Sequence, residues 1–179
     1  MKDLSHRDRC TYLNFWIYGE VSKLYTYNDK NLTHITDIAN LIRANIKINM
    51  HLINYDFNTN YKLMNQTYSQ DKFVKYYDLS KYNPCFFNYD CTFSECSEMK
   101  HLYEYFKDYE TIKEKINCGQ GRDDKYFKYT KYISSLYNKH KEYCCSWGAK
   151  ICPDYFLSCH EYYDPNKLVS AIESDDTPT

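Results

Sequence analysis

Cysteine offers this chain most of its chemistry: Cys10, Cys85, Cys91, Cys96, Cys118, Cys144, Cys145, Cys152 and Cys159. A thiol can pair, ligate a metal or attack a substrate, and spacing separates these roles. The densest ligand set is Cys144, Cys145, Cys152, Cys159 and His160. Tetrahedral zinc sites group their ligands in close pairs such as CxxC. Here zero, six and six residues separate the successive cysteines, so no metal or other cofactor is expected. A cysteine nucleophile needs a histidine base, and no local signature singles out His6, His34, His51, His101, His140 or His160. Nor does the chain hold a phosphate loop, a nucleophile elbow or a paired-histidine zinc motif. The short Gly119–Gly121 stretch reads as a helix stop. An enzyme is therefore not expected.

Disulfides remain, and they place the protein in an oxidising compartment. Vicinal Cys144 and Cys145 close a strained ring if joined to each other, so each should bond outward to a different partner. Cys118, Cys152 and Cys159 lie near them in sequence. Cys85, Cys91 and Cys96 form a second group. The spacing leaves the connectivity open. Nine is odd, so one thiol is expected to be free or paired outside the chain.

The elements that position these cysteines read as helices. From Arg9 to Leu24, the residues Cys10, Leu13, Ile17, Val21 and Leu24 make one stripe, widened by Trp16. Asn28 to Asn31 read as a polar loop. Thr36 or Asp37 can cap a second helix whose buried face is Ile38, Leu41, Ile42, Ile46 and Ile53. Ile48 and Met50 lie off that stripe, which suggests cover on more than one side. The Asn-rich run from Asp56 to Tyr68 reads as a loop. A short helix is expected over 70–79, broken by Asn83-Pro84, and 85–96 reads as a cross-linked loop.

Two stronger helices follow. Ser97 can cap one over 98–117, with Met99, Leu102, Tyr103, Phe106, Tyr109, Ile112 and Ile116 inward. Its charged residues, from Glu98 and Lys100 to Lys113 and Glu114, read as a solvated face. Asp123 or Asp124 can cap the next, to about Tyr143, with Phe127, Tyr129, Tyr132, Ile133, Leu136, Tyr137 and His140 inward. These two should pack antiparallel, with His140 a packed core histidine. Asp164 caps a last helix with Pro165 in its first position and Leu168, Val169 and Ile172 inward.

The expected fold is all-α: a disulfide-stabilised helical bundle with variable loops, one domain over 1–174, and a polar linker at 175–179. Only 4 glycines and 4 prolines weigh against a turn-rich β fold. A net charge of −1 argues against a nucleic-acid partner. No run approaches the ~20 apolar residues that span a bilayer, and MKDLSHRDRC has no apolar signal core. The cysteines point to export while the sequence shows neither signal nor anchor. A trimmed ectodomain or an unconventional export route is expected. The 22 tyrosines use A/T-rich codons and recur at helical spacing, so most read as core residues with the hydroxyl near the surface.

Three motifs are jointly specific: LYEYFKDYETIKEKINC (Leu102–Cys118), YFKYTKYISSLYNKHKEYCC (Tyr126–Cys145) and CPDYFLSCHEYYDPNKLVSAI (Cys152–Ile172). With CTYLNFWIYGEV (Cys10–Val21), they resemble the Plasmodium interspersed repeat family, in its Vir branch. The resemblance covers most of the chain and is weakest from Asp56 to Cys96. It implies a non-enzymatic variant antigen exported to the infected red cell and its surface. It also implies a membrane anchor outside this segment, and partners that are host cell-surface receptor proteins and antibodies. A structural protein of the remodelled host cell, or an intracellular thiol or zinc protein, are the alternatives. Binding is expected in the loops 25–34, 54–70 and 83–96, through Tyr25, Tyr27, Tyr55, Phe57, Tyr61, Phe86, Phe87 and Tyr89. Asn31 and Asn65 sit in glycosylation sequons, both in expected loops.

Overall fold

Ser5 starts the first helix, because its hydroxyl accepts the free Asp8 N–H at 3.0 Å. In the computed structural model, which describes residues 4–25, 30–67, 82–87, 90–117, 124–146, 150–152 and 154–175, this helix is α1, His6–Ser22. A 3-10 turn at Leu32–His34 follows, capped by Asn31. Then come α2 (Thr36–Thr67), α3 (Phe93–Asn117), α4 (Asp124–Cys144), a second 3-10 turn at Glu161–Tyr163, and α5 (Pro165–Asp175). No strand occurs among the described residues, so the all-α expectation holds. The chain divides into two compact units, 1–93 and 94–179.

In the first unit, α1 buries a different face from the apolar stripe in its sequence. Tyr18 is buried, while Leu13, Trp16 and Leu24 are exposed. The inward row is Cys10, Asn14 and Tyr18, spaced by four. Three bonds fix it: the Cys10–Cys85 disulfide, Asn14 Nδ2 donating to Phe86 O at 3.2 Å, and Tyr18 OH donating to Phe93 O at 2.6 Å. Each points at segment 82–87 or at Phe93, and together they rotate the helix away from its apolar side.

Helix α2 departs from expectation in the same way. Ile38 and Asn49 are buried, whereas Leu41, Ile46, Ile48 and Met50 are exposed. Ile48 and Met50 are thus not covered. Asparagines 45 and 49 occupy the inward row because they carry hydrogen bonds that leucine cannot make. The helix also continues through 56–67, read from sequence as a loop. Asn and Tyr are only modestly unfavourable in helices, so a long helix absorbs them. The expected helix over 70–79 lies outside the described residues.

The second unit follows its sequence pattern closely. Helix α3 starts at Phe93, ahead of the Ser97 cap, so Cys96 lies in its first turn rather than in a loop. Its face Leu102, Tyr103, Phe106, Tyr109 and Ile116 is buried as expected, and Tyr105 joins it. Helix α4 buries Ile133, Leu136 and Tyr137, while Tyr132 is exposed. The two helices run antiparallel. Glu98 at the start of α3 meets Lys139 and His140 near the end of α4, and Lys115 lies over the ring of Tyr126. Asp164 caps α5, accepting the Asn166 N–H at 3.0 Å, with Leu168 and Ile172 buried.

Candidate interaction surface

Eight of the nine cysteines are disulfide-bonded. Cys144 pairs with Cys152 and Cys145 with Cys159. The vicinal pair thus bonds outward to two partners, as expected. Cys91 and Cys96 are bonded as well, and Cys118 lies outside the described residues. The four sulfurs weighed as zinc ligands are therefore held in S–S bonds. Among the described residues, no group of three or more His, Cys, Asp or Glu converges to hold a metal.

Beside these bonds, residues 154–163 are laid across α3 and α4. Phe156 is fully buried, its ring 5.0 Å from that of Phe106 and 5.1 Å from that of Tyr137. Tyr105 OH donates to Tyr163 O at 2.9 Å, and Tyr109 OH donates to Tyr162 O. Tyr162 OH in turn lies 3.0 Å from Glu110 and 3.0 Å from Lys113 Nζ. These tyrosines, which read from the sequence as core residues with the hydroxyl near the surface, are here fasteners. Burial pushes the hydroxyls of Tyr129 and Tyr155 up to about 12.

A polar chain crosses this unit. His140 bonds Glu98 through Nε2 at 3.0 Å and the Tyr155 hydroxyl through Nδ1 at 3.0 Å. The Tyr155 hydroxyl also lies 3.3 Å from Cys144 Sγ. His140 is thus a packed, satisfied core histidine, as read from its place on the aromatic face. Glu98 is the exception on its charged face: it turns inward, only 16% exposed. Burial alone raises its pKa. The hydrogen bonds from Lys139 and His140 outweigh that and hold it below the usual carboxylate value. Asp164 behaves likewise, with burial opposed by Asn166 and Lys141.

A folded pKa below the unfolded one stabilises above the ordinary carboxylate value, about pH 4.5. That stability is lost as pH falls through the lowered values. The melting temperature is therefore expected to drop between about pH 5 and pH 3. Glu98→Gln should melt lower at pH 7, by about 1–2 kcal/mol, with a shallower acid slope than the parent. An unchanged acid slope in thermal melts contradicts this assignment.

The sequence-predicted binding residues scatter. Tyr25 is partly buried, its hydroxyl 3.2 Å from Asp37 and its ring 6.1 Å from Phe93. Phe87 is half-buried and tied through its N–H to Asn45. Tyr55 and Phe86 are exposed. Phe57 and Tyr61 lie on α2, not in a loop, and Tyr27 and Tyr89 lie outside the described residues. Of the sequons, Asn31 sits at the 3-10 turn. Its Oδ1 accepts from Thr33 N and its Nδ2 donates to Asp90 at 2.9 Å. Asn65 falls within α2 rather than a loop.

Exposed apolar side chains concentrate instead on the two helices of the first unit. Tyr12, Leu13 and Trp16 share one side of α1, and Trp16 is 63% exposed. On α2, Leu41, Ile48, Leu52 and Tyr55 recur at spacings of seven, four and three, which places them on one stripe. Ile48 is 59% exposed and Tyr55 66%. Among the described residues, the second unit shows fewer: Tyr132, Tyr143, Ile151 and Tyr162. The signal was present in the sequence as surplus apolar residues, but read as core. Among the described residues, no helix is long and apolar enough to cross a membrane.

No curated protein and no solved structure matches the chain. A family model described as Plasmodium vivax Vir protein matches residues 1–178. With outward-paired vicinal cysteines, an aromatic helical core and this match across nearly its whole length, the chain belongs to the Vir family.

Proposed function

We propose that this chain is a non-enzymatic variant antigen displayed at the infected red cell. On this reading it contacts host surface proteins, and antibodies, through the outward faces of α1 and α2. The concentration of exposed apolar side chains on those faces supports the reading, Trp16 above all. Large aromatics dominate the energetics of protein contacts, and clustered exposed apolar side chains mark interaction sites. Family membership supports the antigen role. The disulfides are compatible with an oxidising exterior.

The test is a multivalent form of the chain screened against a panel of host surface proteins, since avidity recovers weak monovalent contacts. Trp16→Ser with Ile48→Ser is expected to weaken a binder found in this way by at least tenfold, about 1.4 kcal/mol. Its melting should change by less than about 0.5 kcal/mol. Exchanging segments 25–34, 54–70 and 83–96 tests the loops as contributors. Binding that survives both sets of changes refutes the assignment of the site to the first unit.

A further inference from the structure

Residues 82–87 have no regular secondary structure, yet their backbone is held at nearly every position by side chains of α1 and α2. Asp56 accepts the Tyr82 N–H at 2.9 Å. His6 Nε2 lies 3.3 Å from Pro84 O. Asn49 Oδ1 accepts the Cys85 N–H at 3.0 Å. Asn45 and Asn49 both donate to Cys85 O, at 3.1 Å each. Asn14 donates to Phe86 O, and Asn45 Oδ1 accepts the Phe87 N–H at 3.0 Å. A side-chain amide offers the same donor and acceptor as a peptide group. Asn45 and Asn49 therefore do here what a neighbouring β-strand does for an added strand. From the segment's side chains, Tyr82 OH donates to Asn49 Oδ1 at 2.8 Å.

Recognition through the backbone does not depend on which chain supplies the peptide. The geometry points to the groove between α1 and α2 as a binding site for an extended, cysteine-bearing peptide, filled in this state by the chain's own residues 82–87. A tyrosine three residues before the cysteine fits it best, because Asn49 receives that hydroxyl. The covalent step is thiol–disulfide exchange. A small thiolate attacks the Cys85 sulfur, forms a mixed disulfide there and releases Cys10 as thiolate. Cys10 then attacks the mixed disulfide carried by the incoming peptide, joins the peptide's sulfur and releases the small thiolate again. No net oxidant is consumed. Two features favour this bond for exchange. Cys10 and Cys85 are partly exposed, as are Cys145 and Cys159, whereas Cys144 and Cys152 are buried. The Asn14 Nδ2 donor lies 3.6 Å from Cys10 Sγ and 4.0 Å from Cys85 Sγ, where it can stabilise a thiolate.

A tethered segment competes at an effective concentration of about millimolar, so the test first displaces it. Cys85→Pro with Phe87→Pro removes the sulfur and both N–H donors that Asn49 and Asn45 accept. The probe is the hexapeptide Tyr-Asn-Pro-Cys-Phe-Phe as its glutathione mixed disulfide. The control is a scrambled hexapeptide with the cysteine kept fourth. Intact mass should show capture on Cys10 about tenfold faster for the native order, a 1.4 kcal/mol preference. Adding Asn49→Ala should erase the difference. Equal rates for the two peptides overturn the proposal. If circular dichroism shows the double variant unfolded, the unaltered protein is used in glutathione buffer with about millimolar peptide. Native-order capture above the scrambled control then supports the site, and equality overturns it.

Discussion

Phe156→Ala is expected to destabilise the second unit by about 3–5 kcal/mol. The ring is fully buried and packs on Phe106 and Tyr137. Truncation loses its transfer free energy and leaves a cavity, and the cost depends on how far the surroundings can collapse. Here they can collapse little. The backbone on one side is tied by Cys144–Cys152, and on the other by Cys145–Cys159. The Phe156 N–H also bonds Cys152 O at 3.1 Å. Urea unfolding should show a lower midpoint with an unchanged slope. Phe156→Leu should recover more than half of the loss. A cost below about 1 kcal/mol, the size of an ordinary surface-to-boundary change, contradicts the placement of this residue as the centre of the core.

Asn49→Ala carries the second large effect, about 3 kcal/mol, because it leaves the part-buried Cys85 N–H and Tyr82 OH without their acceptor, at a cost of roughly 1–3 kcal/mol each. Its amide serves Cys85 N–H, Cys85 O, Tyr82 OH and Asn45 O. Asn49→Asp separates donor from acceptor: it keeps the acceptors but places a charge beside the Cys85 carbonyl. It should cost as much as alanine or more. If Asn49→Asp is tolerated while alanine is not, the contact to Cys85 O carries no weight. Thermal melts of the oxidised protein measure both.

These two residues also show what the sequence conveyed and what it hid. The faces of α3 and α4 were legible because each helix packs its own apolar stripe, so period and burial coincide. The outward pairing of Cys144 and Cys145 was legible from ring strain alone. In the first unit, period and burial part company. Helices α1 and α2 turn inward on Asn14, Asn45 and Asn49, since segment 82–87 needs hydrogen bonds more than apolar cover. Periodicity places those asparagines toward solvent, so Trp16 reads as core and Ile48 as covered. Phe156 gave no signal because it belongs to no periodic element. The run from 56 to 67 read as a loop from its asparagines, although propensity is only a weak prior. Glu98 looked like one more surface charge, and only its meeting with His140 across the helix pair sets it apart. The surface face was therefore hidden for the same reason that the clamp was.

The central claim is that disulfides fasten irregular segments onto a helical scaffold. Peptide mapping of the non-reduced protein from infected cells tests it most directly. The account predicts linked peptides for Cys10–Cys85, Cys144–Cys152 and Cys145–Cys159. Free thiols at those six positions, or a bond between Cys144 and Cys145, would contradict it.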